Sequence, residues 1–211
     1  MRIFPLGDSA ATIEFGNEIS VELNNKAVNL ARQIETTPFN GLIEAVPAYA
    51  SLTVFYNSQL TTFEAVKGEL ARLSNKISSI PESIPNLVEI PILVSSEMDL
   101  ARVAAYAALS SDEVLEIFLA QTYRVYMLGF LPGFAYMGEL DDRIACPRLE
   151  TPRTKVPKGS VGIAGKQTGI YPLESPGGWN IIGRTDLTMF DPTSDDPCRL
   201  HPGDEVRFVR C

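Results

Sequence analysis

Histidine and tryptophan occur once each in this 211-residue chain and cysteine three times, and each scarcity closes off a class of chemistry. The single histidine, His201, lies in His201-Pro202-Gly203-Asp204, which reads as a structural turn before a last strand. Zinc or Ser-His-Asp chemistry needs a partner histidine that the chain lacks, so no metal site is expected. Adjacent carboxylates at Asp141-Asp142 and Asp195-Asp196 point in different directions and suit solvated turns. Cys146, Cys198 and Cys211 are odd in number and show no CxxC spacing, as a reduced, cytosolic protein would. No apolar run approaches the roughly 18 residues of a membrane helix. The opening Met1 to Asp8 goes straight into a strand-like pattern, without the regions of a signal peptide. A cytoplasmic protein with no membrane partner is therefore expected. Positive charge is also short: 18 Lys and Arg face 26 Asp and Glu, a net charge of −8. Nucleic-acid binding needs a basic face and is not expected.

What remains is ordinary core material, 45% hydrophobic and 21% charged. The first 80 residues read as a βαββα unit. Ala10 to Phe15 is extended; Glu18 to Gln33 places Ile19, Leu23, Val28, Leu30 and Ala31 near helical spacing, with Asn17 or Ser20 as cap. Leu42 to Val46 and Ser51 to Tyr56 read as strands. Thr61 or Thr62 then caps a helix carrying Phe63, Val66, Leu70 and Leu73. Two helices on one face of a small antiparallel sheet predict a ferredoxin-like domain over residues 1–80. Ser78 to Asn86, interrupted by Pro81 and Pro85, reads as a linker.

The second domain, residues 81–211, begins with a strand, Leu87 to Val94, whose Pro91 marks an edge or a bulge. Helices follow at Asp99 to Leu109 and, behind Ser111-Asp112-Glu113, at Val114 to Gln121. Ten of the 15 glycines then fall between Gly129 and Gly183, with six prolines among them. Short pieces such as Val161 to Ala164 and Trp179 to Ile182 alternate with turns, and Glu205 to Val209 alternates polar and apolar. This is the pattern of a closed or nearly closed β-barrel with long loops, so the chain as a whole is expected to be α+β.

The charge is unevenly spread. Arg148, Arg153, Lys155, Lys158, Lys166 and Arg184 face only Glu150 and Glu174, a local +4 that leaves −12 for the rest. This is a focused anion site or, equally, a solvated basic face. Four loop-like segments crowd the same region. In Gly129 to Tyr136, glycines flank aromatics; Phe130, Pro132, Gly133 and Tyr136 line a site or fill a barrel corner. In Thr151 to Ser160, an extended backbone puts Arg153 and Lys155 on one face, with Lys158 close behind. Two cations so held suit a carboxylate or phosphoryl group. The GxxxxGK[ST] pattern is absent, so the loop is not a P-loop. Gly162 to Pro172 contributes Lys166, Gln167 and Tyr171. In Glu174 to Asn180, Gly177-Gly178 can form a nest of backbone N–H groups beside Trp179. Ser175 has no GxSxG elbow around it and no evident base, so it is not read as a nucleophile.

The string Tyr123-Arg124-Val125-Tyr126-Met127-Leu128-Gly129-Phe130-Leu131-Pro132-Gly133-Phe134-Ala135-Tyr136 resembles the hallmark of the family of B-type 5-oxoprolinase subunits. That family is also labelled allophanate hydrolase subunit 1 and includes a KipI-like inhibitor of a sporulation histidine kinase. Pro147-Arg148-Leu149, Thr151-Pro152-Arg153, Gly159 to Ala164, Gln167 to Pro172, Ser175 to Trp179 and Gly183-Arg184-Thr185 continue the likeness. Pro5 to Ala10 and Val46 to Tyr49 extend it over nearly the whole chain. The resemblance departs at Tyr106 and Phe118, where family members often carry histidine.

The resemblance implies a ferredoxin-like domain followed by a cyclophilin-like barrel. It implies a subunit of an ATP-dependent 5-oxoprolinase, with Mg accompanying the ATP and no covalent cofactor, inactive alone. It implies pairing with a barrel protein like the C-type 5-oxoprolinase subunit and with a third, lactam-opening subunit. In that picture Arg153, Lys155 and Lys158 stabilise charge on transferring oxygens. Phe130, Pro132, Gly133, Tyr136, Lys166, Gln167, Tyr171, Gly177, Gly178, Trp179 and Arg184 form the substrate or anion site. Two alternatives remain: a non-catalytic inhibitor of a sensor histidine kinase, and a carboxyltransferase subunit acting on urea or another amide with a biotin-bearing partner.

Overall fold

The computed structural model describes residues 1–75, 85–95 and 98–211, which fall into two compact units, Met1–Ile84 and Pro85–Cys211. Of the expected linker, all but Pro85 and Asn86 lies outside the described residues.

The first unit runs β1 (Arg2–Pro5), β2 (Ala10–Glu14), α1 (Val21–Thr36), β3 (Leu42–Pro47), β4 (Ser51–Tyr56) and α2 (Phe63–Ser74). Its antiparallel sheet has the order β1-β2-β4-β3. This is the ferredoxin-like arrangement, with one strand beyond the expected βαββα: β1 occupies the edge beside β2. The helices start where a hydroxyl takes an orphan donor. Ser20 Oγ accepts from the Leu23 N–H at 3.2 Å and Thr62 Oγ1 from the Ala65 N–H at 3.3 Å. Because Ser20 rather than Asn17 caps α1, the helix begins later than its apolar spacing implies, and Ile19 stays exposed. Leu30, Ala31 and Ile34 from α1 meet Val66, Leu70 and Leu73 from α2 over Ala11, Ile13, Leu52 and Val54 of the sheet. Each large side chain so buried contributes about 1.5–3 kcal/mol.

The second unit contains β5 (Leu87–Ile92), α3 (Leu100–Ala107), α4 (Ser111–Leu119), β6 (Thr122–Leu128), β7 (Ala135–Gly138), β8 (Arg153–Val156), β9 (Ser160–Ala164), β10 (Gln167–Ile170), β11 (Ser175–Gly177), β12 (Asn180–Arg184) and β13 (Glu205–Arg210). Seven strands form one sheet in the order β12-β9-β10-β7-β6-β13-β5. Its two edges are bridged: the Leu93 N–H donates to the Arg184 carbonyl at 2.7 Å, and the Arg184 N–H returns a bond of 2.8 Å. The sheet is thus nearly closed, which removes most of its exposed edge. Pro91 sits in β5, which pairs with β13 alone along its length. The Ile92 carbonyl faces β13, accepting from Cys211 N–H at 3.2 Å, so by alternation Pro91 faces the outer edge where no donor is needed.

Inside the barrel, Val161, Ile163, Ile170, Ile182, Val125 and Met137 pack with Phe118 of α4 and Val103 of α3. The Ser110–Glu113 capping box starts α4 one residue before the expected Ser111. Phe118 is fully buried with its ring 4.9 Å from Phe208 and 5.1 Å from Tyr123. The outer face of the same strands is paved with small residues. Gly162 of β9 lies opposite Gly169 of β10, with Ala164 next along. A side chain at Gly169 would come within 2.9 Å of the Ala135 carbonyl and 3.0 Å of the Phe134 ring, and one at Gly162 within 3.1 Å of Trp179. That paving admits a second, smaller core of Phe134, Val156, Tyr171 and Trp179 outside the barrel, where the β8–β11 ribbon lies.

Candidate functional site

The outer core carries the candidate site. Phe134 is its hub, with Tyr136, Tyr171 and Trp179 each presenting a ring nearly edge-on at 4.9, 5.2 and 5.4 Å. Tyr136 meets Trp179 at 5.8 Å. At the rim Phe130 is 60% exposed and takes a left-handed φ of 67°, which a bulky side chain rarely adopts. Its ring leans edge-on toward Phe134 at 5.5 Å and Tyr171 at 6.5 Å. An apolar ring held out in water on a strained backbone marks a contact surface more readily than a corner filler. Gly133, its near neighbour, is buried against Met189 and Phe190, whereas Pro132 is exposed.

The cations around this face differ sharply in what they touch. The Arg153 guanidinium donates to Asp99 Oδ1 at 2.5 Å and to the Trp179 carbonyl at 3.3 Å. Lys155 Nζ pairs with Glu174 across the β8–β11 ribbon at 3.0 Å. The two therefore do not converge as free cations on one ligand; each is neutralised by a carboxylate of its own chain. Lys166 at the β9–β10 turn pairs with Asp142 at 2.6 Å, and Arg184 pairs with Asp186. Lys158 is exposed, and its charge contributes to holding down the Asp191 carboxyl, after the stronger hydrogen bonds from Thr193. Gln167 of β10 lies opposite Gly138 of β7, two residues along that strand from Tyr136.

Gly177-Gly178 is not a nest. Neither glycine has a left-handed φ, and Gly177 is paired with Arg153 in the ribbon. Gly177 has another cause: a side chain there would come within 2.3 Å of the Tyr171 hydroxyl.

Three residues that the sequence pattern does not single out organise the site. Asp99 looks like a helix cap, and it stands at the N-cap of α3 without a side-chain capping bond. Its carboxylate instead accepts from the Ile181 N–H at 2.7 Å while holding Arg153, and its own N–H donates to the Ile181 carbonyl at 2.6 Å. Asn180 is fully buried; its Nδ2 donates to the Pro147 carbonyl at 2.9 Å and the Ile163 carbonyl at 3.2 Å, while its Oδ1 accepts from Arg102 Nε at 3.0 Å. Arg148 lies with its guanidinium 5.8 Å from the centre of the Trp179 ring, within cation–π range. Its sequence signals are membership of the basic stretch and of the Pro147-Arg148-Leu149 match, and neither ties it to Trp179.

Burial pushes the Tyr136 hydroxyl above its ordinary value, against the pull of Arg148. Burial likewise raises Tyr171, opposed first by a backbone hydrogen bond with Trp179 and then by Arg148. Both stay neutral hydroxyls at physiological pH. His201 is engaged elsewhere, 2.9 Å from Asp196 and 3.7 Å from Asp204. Tyr106, on α3, is 60% exposed, and Phe118 belongs to the barrel core. The site therefore offers flat rings, neutral hydroxyls and one guanidinium within cation–π range of the indole. Among the described residues no three of His, Cys, Asp and Glu gather to hold a metal ion, and no helix is long and apolar enough to cross a membrane.

The family model described as the carboxyltransferase domain, subdomain C and D, matches residues 1–200. The chain is 44% identical to the B-type 5-oxoprolinase subunit of Bacillus subtilis, covering 99% of this chain and 92% of that protein. It is 50% identical to a conserved protein of Pyrococcus horikoshii, PH0987, over all of this chain and 97% of the other, with a TM-score of 0.58. The solved structure of TTHA0988 superposes with a TM-score of 0.84 at 39% identity over 96% of this chain, which spans only 40% of that longer one.

Proposed function

The chain belongs to the family of B-type 5-oxoprolinase subunits, and on that premise we propose that it works within an ATP-dependent complex that opens 5-oxoproline to glutamate. The observation that carries this reading is the 44% identity, over 99% of the chain, to a protein bearing that designation. In the complex it pairs with a barrel protein of the C type, and a third subunit completes the ring opening.

A lactam resists water because its nitrogen lone pair is delocalised into the carbonyl. Transfer of the γ-phosphoryl group of ATP to the amide oxygen removes that stabilisation and releases ADP. Water then attacks the ring carbon, the C–N bond breaks, and phosphate leaves with glutamate as the other product. The residues of this chain bind and orient rather than supply the base. Trp179, Tyr136 and Phe130 give a flat ring a face to lie against. Lys158 is the cation best placed for oxygens carrying developing charge, while Arg153 keeps Trp179 in position through its carbonyl. Magnesium arrives with the ATP phosphates and is not assigned to this chain's side chains. The chain alone is expected to release no ADP.

The test is ADP release, with and without 5-oxoproline, from the native complex captured on this chain in its source cells. Release that depends on 5-oxoproline, with two co-purifying partners, is the expected result. No such release, with a biotin-bearing protein captured instead, replaces the reading with carboxyl transfer. Capture of a sensor kinase whose activity falls on binding replaces it with inhibition.

A further inference from the structure

We propose that Arg148, laid over the Trp179 ring beside Tyr136, is the specificity-determining cation of this face and takes the carboxylate of a small cyclic amide acid. It thereby selects 5-oxoproline over the same lactam without its acid group. The identity of that acid rests on the function proposed above; the subsite rests on the geometry that follows.

Among the six cations of the basic stretch, Arg153, Lys155, Lys166 and Arg184 each have a carboxylate within ion-pair distance. Lys158 is drawn to Asp191. Arg148 is exposed and makes no ion pair within the described residues; what it touches is the indole. A cation–π contact uses the flat face of the guanidinium and leaves its edge donors free. Those donors form the planar fork that matches a carboxylate two bonds at a time.

The backbone on both sides of Arg148 is bolted to the segment that carries Trp179. The Pro147 carbonyl accepts from Asn180 Nδ2 at 2.9 Å, and the Leu149 N–H donates to the Gly178 carbonyl at 2.8 Å. Asn180 is itself held by Arg102 at 3.0 Å. The backbone carrying Arg148 and the backbone carrying Trp179 are therefore held together, which lessens the ordering left for binding. A preorganised fork matters in this chain, whose net charge of −8 otherwise repels small anions. A carboxylate fits better than a triphosphate, which calls for several free cations, and four of the five neighbouring cations are already paired with carboxylates.

Trp179 is the only tryptophan of the chain, so its fluorescence reports on this subsite directly. The full-length chain is titrated with 5-oxoproline, with 2-pyrrolidinone and with inorganic phosphate. A saturable change with 5-oxoproline, and none with 2-pyrrolidinone over the same range, is expected. Arg148→Gln weakens the response about 10- to 100-fold, the scale for losing a charged hydrogen-bonded pair. Arg148→Lys, which keeps the charge but not the fork, falls between. The proposal is overturned if the wild-type chain shows no saturable change, if both lactams act alike, if Arg148→Gln leaves the response intact, or if phosphate binds more tightly than 5-oxoproline. In the captured complex, Arg148→Gln raises KM for 5-oxoproline by the same factor and leaves kcat nearly unchanged. Acid-dependent fluorescence without 5-oxoproline-dependent ADP release removes the function and keeps the subsite. Normal ADP release with an unaltered KM in Arg148→Gln removes the subsite and keeps the function.

Discussion

In the first unit the helix stripes meet one face of the sheet, and the ion pairs lie outside. Arg2–Glu14, Lys26–Glu22, Lys67–Glu64 and Arg72–Glu69 all decorate the surface, where such pairs contribute roughly 0–1 kcal/mol each. In the second unit, side chains pack on both faces of the sheet. Aliphatic residues fill the inside, and aromatic rings settle on a glycine-paved outside. Polar side chains act as internal ties there: Asn180 and Asp99 join segments far apart in sequence. A sheet covered on one face needs only periodicity and caps. A barrel that also carries rings outside must give up side chains at chosen positions and compensate with specific hydrogen bonds. The same rings that complete the outer core also line the candidate site, so stability and binding share residues in the second unit and not in the first.

Substitutions that ignore this difference are expected to fail unequally. The largest effect is expected from Gly159→Ala, where a left-handed φ of 81° coincides with a contact of 2.1 Å to the Thr185 carbonyl oxygen. It should destabilise the second unit by about 3 kcal/mol or more, read by chemical denaturation. A cost under about 1 kcal/mol would mean that the turn before β9 yields easily and that the barrel is less tightly specified than described.

Next come the two fully buried asparagines, one in each unit. Asn180→Ala leaves the buried Ile163 carbonyl, the Pro147 carbonyl and Arg102 without this partner and should cost about 2–3 kcal/mol. Asn24→Ala, whose amide donates to the Ala48 carbonyl at 3.0 Å, should cost about 1–2 kcal/mol. Equal losses would remove the claim that polar ties weigh more in the barrel. Asn180→Ala should also blunt the response of Trp179 to acids, because the Arg148 segment is untied.

Alkaline pH sets the units apart without mutation. Burial raises the Tyr123, Tyr126, Tyr136 and Tyr171 hydroxyls, all of the second unit. Each remains protonated in the fold after its unfolded counterpart, near pH 10, has ionised. Unfolding then releases protons, so stability is present in full below about pH 10 and is lost as pH climbs through the folded values. Denaturation midpoints followed by Trp179 fluorescence should hold up to about pH 10 and fall above it; a midpoint constant to about pH 11 would contradict the buried hydroxyls. The smallest effect is a gain. Gly68 lies inside α2 with open space around it, so Gly68→Ala should stabilise the first unit by about 0.5–1 kcal/mol in the same assay.

The first unit was largely legible because its signals are local. Apolar spacing marked α1 and α2, and the caps were narrowed to Asn17 or Ser20 and to Thr61 or Thr62, of which the fold uses Ser20 and Thr62. The strand-like pattern of Met1 to Asp8 marked β1, but not its place at the sheet edge beside β2. In the barrel, β9 and β12 were readable from short apolar runs and β13 from polar–apolar alternation, but their order and the Leu93–Arg184 bridge were not. The aromatic half of the site was visible as crowding of rings and glycines. Its electrostatics were not: Arg153 and Lys155 are alike in sequence to any free cation, and only folding brings Asp99 and Glu174 to them.

Taken alone, the amino-acid sequence determined the four main helices, the strands of the first unit and several of the second, that the second half is glycine-rich β structure, and that basic and aromatic residues crowd one stretch. These follow from interactions over a few residues, where side-chain period and capping leave few choices. Only the tertiary structure decided which cations of that stretch have a carboxylate partner among the described residues. Charge neutralisation depends on distance in space: Asp99 reaches Arg153 from 54 residues away, while Arg148 meets an indole instead.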